Sequence, residues 1–222
     1  MQVNSNLKNR MDAVWIPAGG VTLRGDLCVP PHASGIVVFA HGSGSSRLSP
    51  RNQYVARELE EANVATLLLD LMTEDEERDD MDTGHLRFDI AMLGDRLVDV
   101  IDWLTVDERT SGLNIGLFGA STGAAAAIHA ANRRSKWVRA IVSRGGRPDL
   151  AGLELSELTT PILLVVGMDD RDVLKLNKKV MNELTCPKQM TLIENATHLF
   201  EEPGALTQVT EAAKSWFSHH LT

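Results

Sequence analysis

The chain has 222 residues, 43% of them hydrophobic and 23% charged, a balance that supports a buried core and excludes disorder, collagen and coiled coil. Its formal net charge is −8 and its pI about 5.3. That argues against the clustered cationic surface needed to neutralise nucleic-acid phosphates or to dwell on an anionic membrane, so no partner of either kind is expected.

Residues 1–10 are polar and lack the apolar centre of a secretory signal, and no apolar run approaches the roughly 20 residues of a membrane span. A cytoplasmic location is expected. Ala13 to Ile16 and Val21 to Val29 flank Gly19-Gly20, the pattern of a β-hairpin. Short apolar runs follow at Ile36 to Ala40, Val64 to Leu69, Asn114 to Phe118, Val138 to Val142, Ile162 to Val166 and Met190 to Ile193. They are rich in Val, Ile and Leu, as strands covered on both faces require. Between them, helical periods join Val55, Leu59 and Ala62 after Pro50, then Ile90, Leu93, Leu97, Ile101 and Leu104. Two more join Val173, Leu176, Val180 and Leu184, and Val209, Ala213, Trp216 and Phe217.

Strand followed by helix, repeated, predicts a single α/β domain: a mostly parallel sheet of about eight strands with an antiparallel N-terminal hairpin and helices on both faces. Met72 to His85, dense in acids, lacks either period and reads as a solvated surface loop. The rival reading sets it on the rim of a site, because it follows the C-terminal end of a strand, where open α/β sheets bind ligands. Cys28 and Cys186 lie far apart without metal-ligand spacing and read as packing residues; no metal or cofactor is expected.

Gly119-Ala120-Ser121-Thr122-Gly123 ends one apolar run and opens the small-residue helix Ala124 to Ile128. This is G-x-S-x-G between a strand and a helix. A nucleophile there sits on a sharp, strained turn, so the residues two positions either side must lack bulk. The following helix N-terminus favours developing negative charge.

A nucleophilic serine needs a base, and the base an orienting acid. His198 follows the last strand and precedes the last helix, which makes it the candidate base. His219 and His220 belong to the terminal helix and are expected exposed, while His129 reads as packing. The acid falls in Asp169-Asp170-Arg171-Asp172, after the strand from Ile162. Asp172 is expected to cap the next helix. Spacing does not separate Asp169 from Asp170. A glycine-rich run, His41 to Ser46, follows the strand from Ile36 and lacks the signature of a phosphate loop. It is expected to supply the Ser43 N–H to an oxyanion hole, with the Thr122 N–H as the second donor.

With these residues placed, the chain resembles the dienelactone hydrolase-like branch of the α/β-hydrolase superfamily from Val14 to Phe217. It is similar above all to small hydrolases that occur alone or joined to a phosphoribosyltransferase domain. The resemblance is carried by His41-Gly42-Ser43-Gly44-Ser45-Ser46-Arg47, Ser49-Pro50-Arg51-Asn52, His85-Leu86-Arg87-Phe88-Asp89, Ser143-Arg144-Gly145-Gly146-Arg147-Pro148-Asp149 and Ala196-Thr197-His198-Leu199-Phe200-Glu201-Glu202-Pro203-Gly204. It implies the α/β-hydrolase fold. It also selects Asp170, three positions ahead of Val173, as the triad acid. Dienelactone hydrolases proper carry a cysteine nucleophile where this chain has Ser121.

About eighteen residues separate Val142 from Pro161, too few for a helical cap, so an open cleft for small or protruding acyl groups is expected. Arg144 and Arg147 follow the strand after the nucleophile's helix. An arginine fork grips a carboxylate bidentately, so one of them, with Arg87, is expected to bind a substrate carboxylate; the alternative is pairing with local acids. The expected activity is hydrolysis of a small ester, lactone or thioester through acyl-Ser121. The alternative is a ligand-binding module on the same fold.

Overall fold

The computed structural model describes residues 11–152 and 154–222; the polar start read in residues 1–10 lies outside them. β1 (Met11–Ala18) and β2 (Val21–Cys28) turn on Gly19-Gly20, both at positive φ, and pair antiparallel. There follow β3 (Gly35–Ala40), α1 (Pro50–Glu61), β4 (Ala65–Leu69), α2 (Glu74–Asp79), α3 (Ile90–Val106), β5 (Asn114–Ala120) and α4 (Gly123–Arg133). The chain ends with β6 (Val138–Arg144), α5 (Glu154–Glu157), β7 (Ile162–Gly167), α6 (Arg171–Glu183), β8 (Lys188–Ile193) and α7 (Ala205–His220). The sheet order is β1-β2-β4-β3-β5-β6-β7-β8. β2 meets β4 antiparallel, and the pairs from β4 to β8 are parallel.

Parallel strands under crossover helices are buried on both faces, and the alternation of side chains feeds two cores. β3 sends Val37 and Phe39 to the layer of α1 and α7, where Val55, Leu59, Val209, Ala213 and Phe217 close over them. Ile36, Val38 and Ala40 face the other layer, built by Leu97 and Ile101 of α3 and Ile128 of α4. Each of the Val, Leu, Ile and Phe side chains among them contributes roughly 1.5–3 kcal/mol by leaving water. Cys28 and Cys186 are buried and unpaired; burial, then Glu60, pushes the Cys28 thiol up to about 12. Among the described residues no helix is long and apolar enough to cross a membrane, and no group of His, Cys, Asp or Glu is arranged to hold a metal ion.

Among the described residues the stretch between β6 and β7 holds a 3-10 turn, Pro148–Ala151, and the single turn α5, with no helical cap. The acidic stretch after β4 is not the plain loop expected. Within it α2 opens on a capping box: the Glu76 N–H donates to Thr73 Oγ1 (3.2 Å) and the Thr73 N–H to Glu76 Oε2 (2.8 Å). Arg96 of α3, itself buried, grips Glu76 with both terminal nitrogens. No residue of α2 is buried, so caps and ion pairing hold it where an apolar period does not.

Candidate active site

The C-terminal edge of the sheet gathers the candidate residues. Ser121 follows β5, a central strand, at φ +50°, a left-handed conformation that costs a side-chain-bearing residue of order 1–3 kcal/mol. Two main-chain bonds from the loop after β6 hold it there. The Ser121 N–H donates to the Arg144 carbonyl (3.3 Å), and the Arg147 N–H donates to the Ser121 carbonyl (2.9 Å). The flanking glycines give the turn its room. A Cβ at Gly119 would lie 2.5 Å from Ala124 Cα, and one at Gly123 only 2.2 Å from the Ala40 carbonyl oxygen.

His198, on the loop after β8, has Nδ1 2.6 Å from Asp170 Oδ2 on the loop after β7. A carboxylate only accepts, so in the neutral ring Nδ1 carries the proton and Nε2 is left basic. Between the two aspartates that spacing left open, it is Asp170 that meets the histidine, while the Asp169 N–H donates to the Ala196 carbonyl. The N-cap of α6 is Asp170, whose carboxylate serves His198 and not the helix; Asp172 lies inside the first turn and does not cap it. His219 is exposed and His220 half-buried against Trp216. His129 is buried between Asp95 (2.9 Å) and Glu154 (2.8 Å), away from the edge.

The loop after β3 reaches over the start of α4. The Ser43 N–H donates to Thr122 Oγ1 at 2.9 Å, so this amide is occupied by a hydroxyl that a substrate oxygen would have to replace. His41 braces the loop from below. Its Nε2 accepts from the Leu71 N–H (3.0 Å), leaving Nδ1–H to donate to the Gly42 carbonyl (2.9 Å). Burial keeps the ring's pKa below its ordinary value, which holds this neutral tautomer.

Beside the loop opens a cleft of about 670 Å³, lined by Ser43, Leu48, Leu71, Met72, Met81 and Thr122 among others. Glu74, Glu77 and Arg78 of α2 form its outer wall. The acidic stretch therefore rims the candidate site, the less favoured of its two readings. The T-x-x-E pattern at Thr73 to Glu76 was the signal for its helix.

The three arginines fare differently. Arg147 forks onto Asp149 (2.9 and 2.8 Å). Arg87 donates to Asp80 Oδ2 and to the Asp80 carbonyl, both at 2.6 Å, and Asp80 is fully buried. Both thus pair with local acids, the alternative weighed against a substrate grip. Arg144 has no such partner. It is 7% exposed, its Nε and Nη1 are buried without a hydrogen bond, and its guanidinium lies 5.8 Å from the centre of the Phe200 ring. Burial, then the charge of Arg51, lowers its pKa to about 10, still cationic at neutral pH.

This strand order, with a serine elbow closing a central strand, is that of the α/β hydrolases. Solved structures superpose accordingly. Est1E from Butyrivibrio proteoclasticus shares the fold at a TM-score of 0.77 and 18% identity, covering 93% of this chain and 98% of that one. A dienelactone hydrolase-like promiscuous phosphotriesterase from metagenomic libraries does so at 0.75 and 20%, covering 96% and 99%. The chain belongs to the dienelactone hydrolase family, whose model matches residues 25–221. A dienelactone hydrolase from Anabaena variabilis is 51% identical with a TM-score of 0.95, covering 97% of this chain and all of that one. Two Mycobacterium tuberculosis proteins named as phosphoribosyl transferases are also 51% identical over 212 residues. The match covers 96% of this chain, which spans about half the length (47%) of these curated relatives.

Proposed function

We propose that the protein hydrolyses a small carboxylic ester, lactone or thioester through an acyl-Ser121 intermediate. The observation that carries the reading is the 2.6 Å contact between His198 Nδ1 and Asp170 on the same sheet edge as an elbow serine at φ +50°. Ser121 Oγ attacks the carbonyl carbon as its proton passes to His198 Nε2. The resulting oxyanion draws on the N–H of Thr122 and of Ser43, the latter exchanging its bond to Thr122 Oγ1 for one to the substrate. Collapse expels the alcohol or thiol, which takes the proton from His198. Water, deprotonated by the same ring, then releases the acid and restores Ser121. Asp170 keeps the bond from His198 Nδ1–H throughout and stabilises the imidazolium. The cleft beside Ser43 and Thr122, with apolar Leu71, Met72 and Met81, receives one of the two substrate parts.

The test is release of p-nitrophenol from short-chain p-nitrophenyl esters and opening of simple lactones, with Ser121→Ala as control. Turnover that disappears in the variant is expected. Equal inactivity of both proteins across the series would move the reading to a ligand-binding module.

A further inference from the structure

The two flanks of Ser121 carry different chemistry. The base comes from the side of β6: a Cβ on Gly145, the residue after that strand, would lie 3.2 Å from the His198 carbonyl oxygen and 3.5 Å from its Nδ1. The cleft opens on the other side, between the loops after β3 and β4. Its wall includes Gly42, where a Cβ would meet Ser121 Cβ at 2.9 Å and Oγ at 3.7 Å, so the cleft begins beside the nucleophile. Among the described residues, none from the loops after β6, β7 and β8 lines it. When an ester's tetrahedral intermediate collapses, the leaving oxygen takes its proton from His198 and must lie on the base's flank. The acyl part is left for the cleft.

The cleft is lined with apolar side chains at every depth. Leu71 and Met72 are buried beneath it, whereas Leu48 and Met81 stand 56% and 75% exposed on its rim. Most of the charge around it is spent. Glu74 pairs with Arg24 (2.7 Å) and Arg78 with Asp75 (3.1 Å). Arg87 is held by buried Asp80, and Arg47 is shared by Asp26 (3.2 Å) and Asp70 (2.6 Å). Glu77 is the exception. It is half-buried on the cleft wall, and among the described residues no hydrogen-bond donor or ion-pair partner meets its carboxylate. Burial, then Asp70 and Glu74, hold that carboxyl above the ordinary range, and the spent cations Arg87 and Arg47 offset this only in part. A carboxylate left unpaired against apolar side chains attracts a cation and repels an anion more strongly than it would in open water. We propose that the cleft is the acyl pocket and that Glu77 sets its charge preference, for an apolar acyl chain that ends in a cationic group and against one that ends in a carboxylate. The assignment to the acyl part rests on the acyl-Ser121 reading; the charge preference of the cleft does not.

The test compares p-nitrophenyl hexanoate with analogues whose chain ends in trimethylammonium or in carboxylate, at pH 8 and one ionic strength. The cationic chain should exceed the anionic one in kcat/KM by about tenfold, and Glu77→Gln should bring that ratio close to one. Glu77 lies on α2, which buries no residue, so the substitution leaves the core intact. Charge is then moved to the leaving group, with the hexanoate esters of p-nitrophenol and of 4-hydroxybenzoate. Their ratio should be the same in wild type and Glu77→Gln; a change there, with none in the acyl series, overturns the assignment to the acyl part. The three chains as primary amides, added to Ser121→Ala protein during thermal unfolding, read the cleft without turnover. The cation should raise Tm more than the anion, and Glu77→Gln should remove the difference. Equal shifts, or an order that Glu77→Gln leaves unchanged, overturn the proposal. Charge-ordered shifts with no ester turned over would refute acyl-Ser121 chemistry and support the preference of the cleft.

Discussion

Gly123→Ala tests whether close contact between β3 and α4 creates the elbow. The added Cβ would sit 2.2 Å from the Ala40 carbonyl oxygen and 2.5 Å from that of His41. Both are backbone atoms, so no rotamer change relieves the clash. Reaching an ordinary contact of 3.4 Å needs a retreat of 3.4 − 2.2 = 1.2 Å by the start of α4 or the end of β3. Overpacking of this kind costs about 1–3 kcal/mol, and the immobile partners put it at the upper end. At roughly 2–4 °C per kcal/mol for a chain of this length, Tm should fall by about 6–12 °C. Activity should fall further than the stability loss explains, since a misplacement of about 1 Å costs on the order of 10²-fold. Gly112→Ala is the control: it lies before β5, at φ +97°, with nothing within 4 Å of the new Cβ. It should lose about 1–2 kcal/mol to backbone strain and keep its activity. Differential scanning calorimetry and ester turnover on both variants give the answer. A Gly123→Ala protein with wild-type Tm and turnover, or a Gly112→Ala protein equally inactive, would refute the reasoning.

Asp170→Asn should lower kcat by about 10⁴-fold with little change in Tm, by leaving His198 in the wrong tautomer, whereas Asp169→Asn should retain most activity; steady-state kinetics on a p-nitrophenyl ester separates them. His41 is held neutral in the fold while the unfolded chain takes up a proton near pH 6.5, so its contribution is whole above that pH and is lost as pH falls below it. Unfolding followed from pH 7.5 to 5 should show this slope, flattened in His41→Gln. Arg144→Met should raise stability by about 1–4 kcal/mol, because an apolar chain replaces a buried cation without a hydrogen-bond partner at Nε and Nη1; a loss of stability in calorimetry would show that Phe200 alone compensates the charge.

The strands were legible because a strand covered on both faces has to be a short apolar run; β3 and β7 satisfy this along their lengths, and β5 and β6 do over their centres, Ile115 to Ala120 and Ala140 to Val142. The elbow was legible because its steric demand falls on two named glycines. What escaped were features without an apolar period. α2 buries nothing, so it announces itself only through Thr73 and Glu76 and through a partner, Arg96, twenty residues away. Asp169 and Asp170 differ by one position on a turn, and only the path of the β8 loop decides which of them meets His198. The arginines show the same limit: no spacing rule tells that Arg87 finds Asp80 and Arg147 finds Asp149 while Arg144 finds neither. Arg51 belonged to a motif quoted for its pattern, and its nearness to Arg144 arises only when α1 packs on the sheet.

The two main-chain bonds on Ser121 separate where its side chain is held from which atom that side chain ends in. Backbone N–H and C=O at position 121, and the clearance beside Gly119 and Gly123, belong equally to a serine or a cysteine placed there. Oxygen can therefore be exchanged for sulphur without a compensating change in the frame.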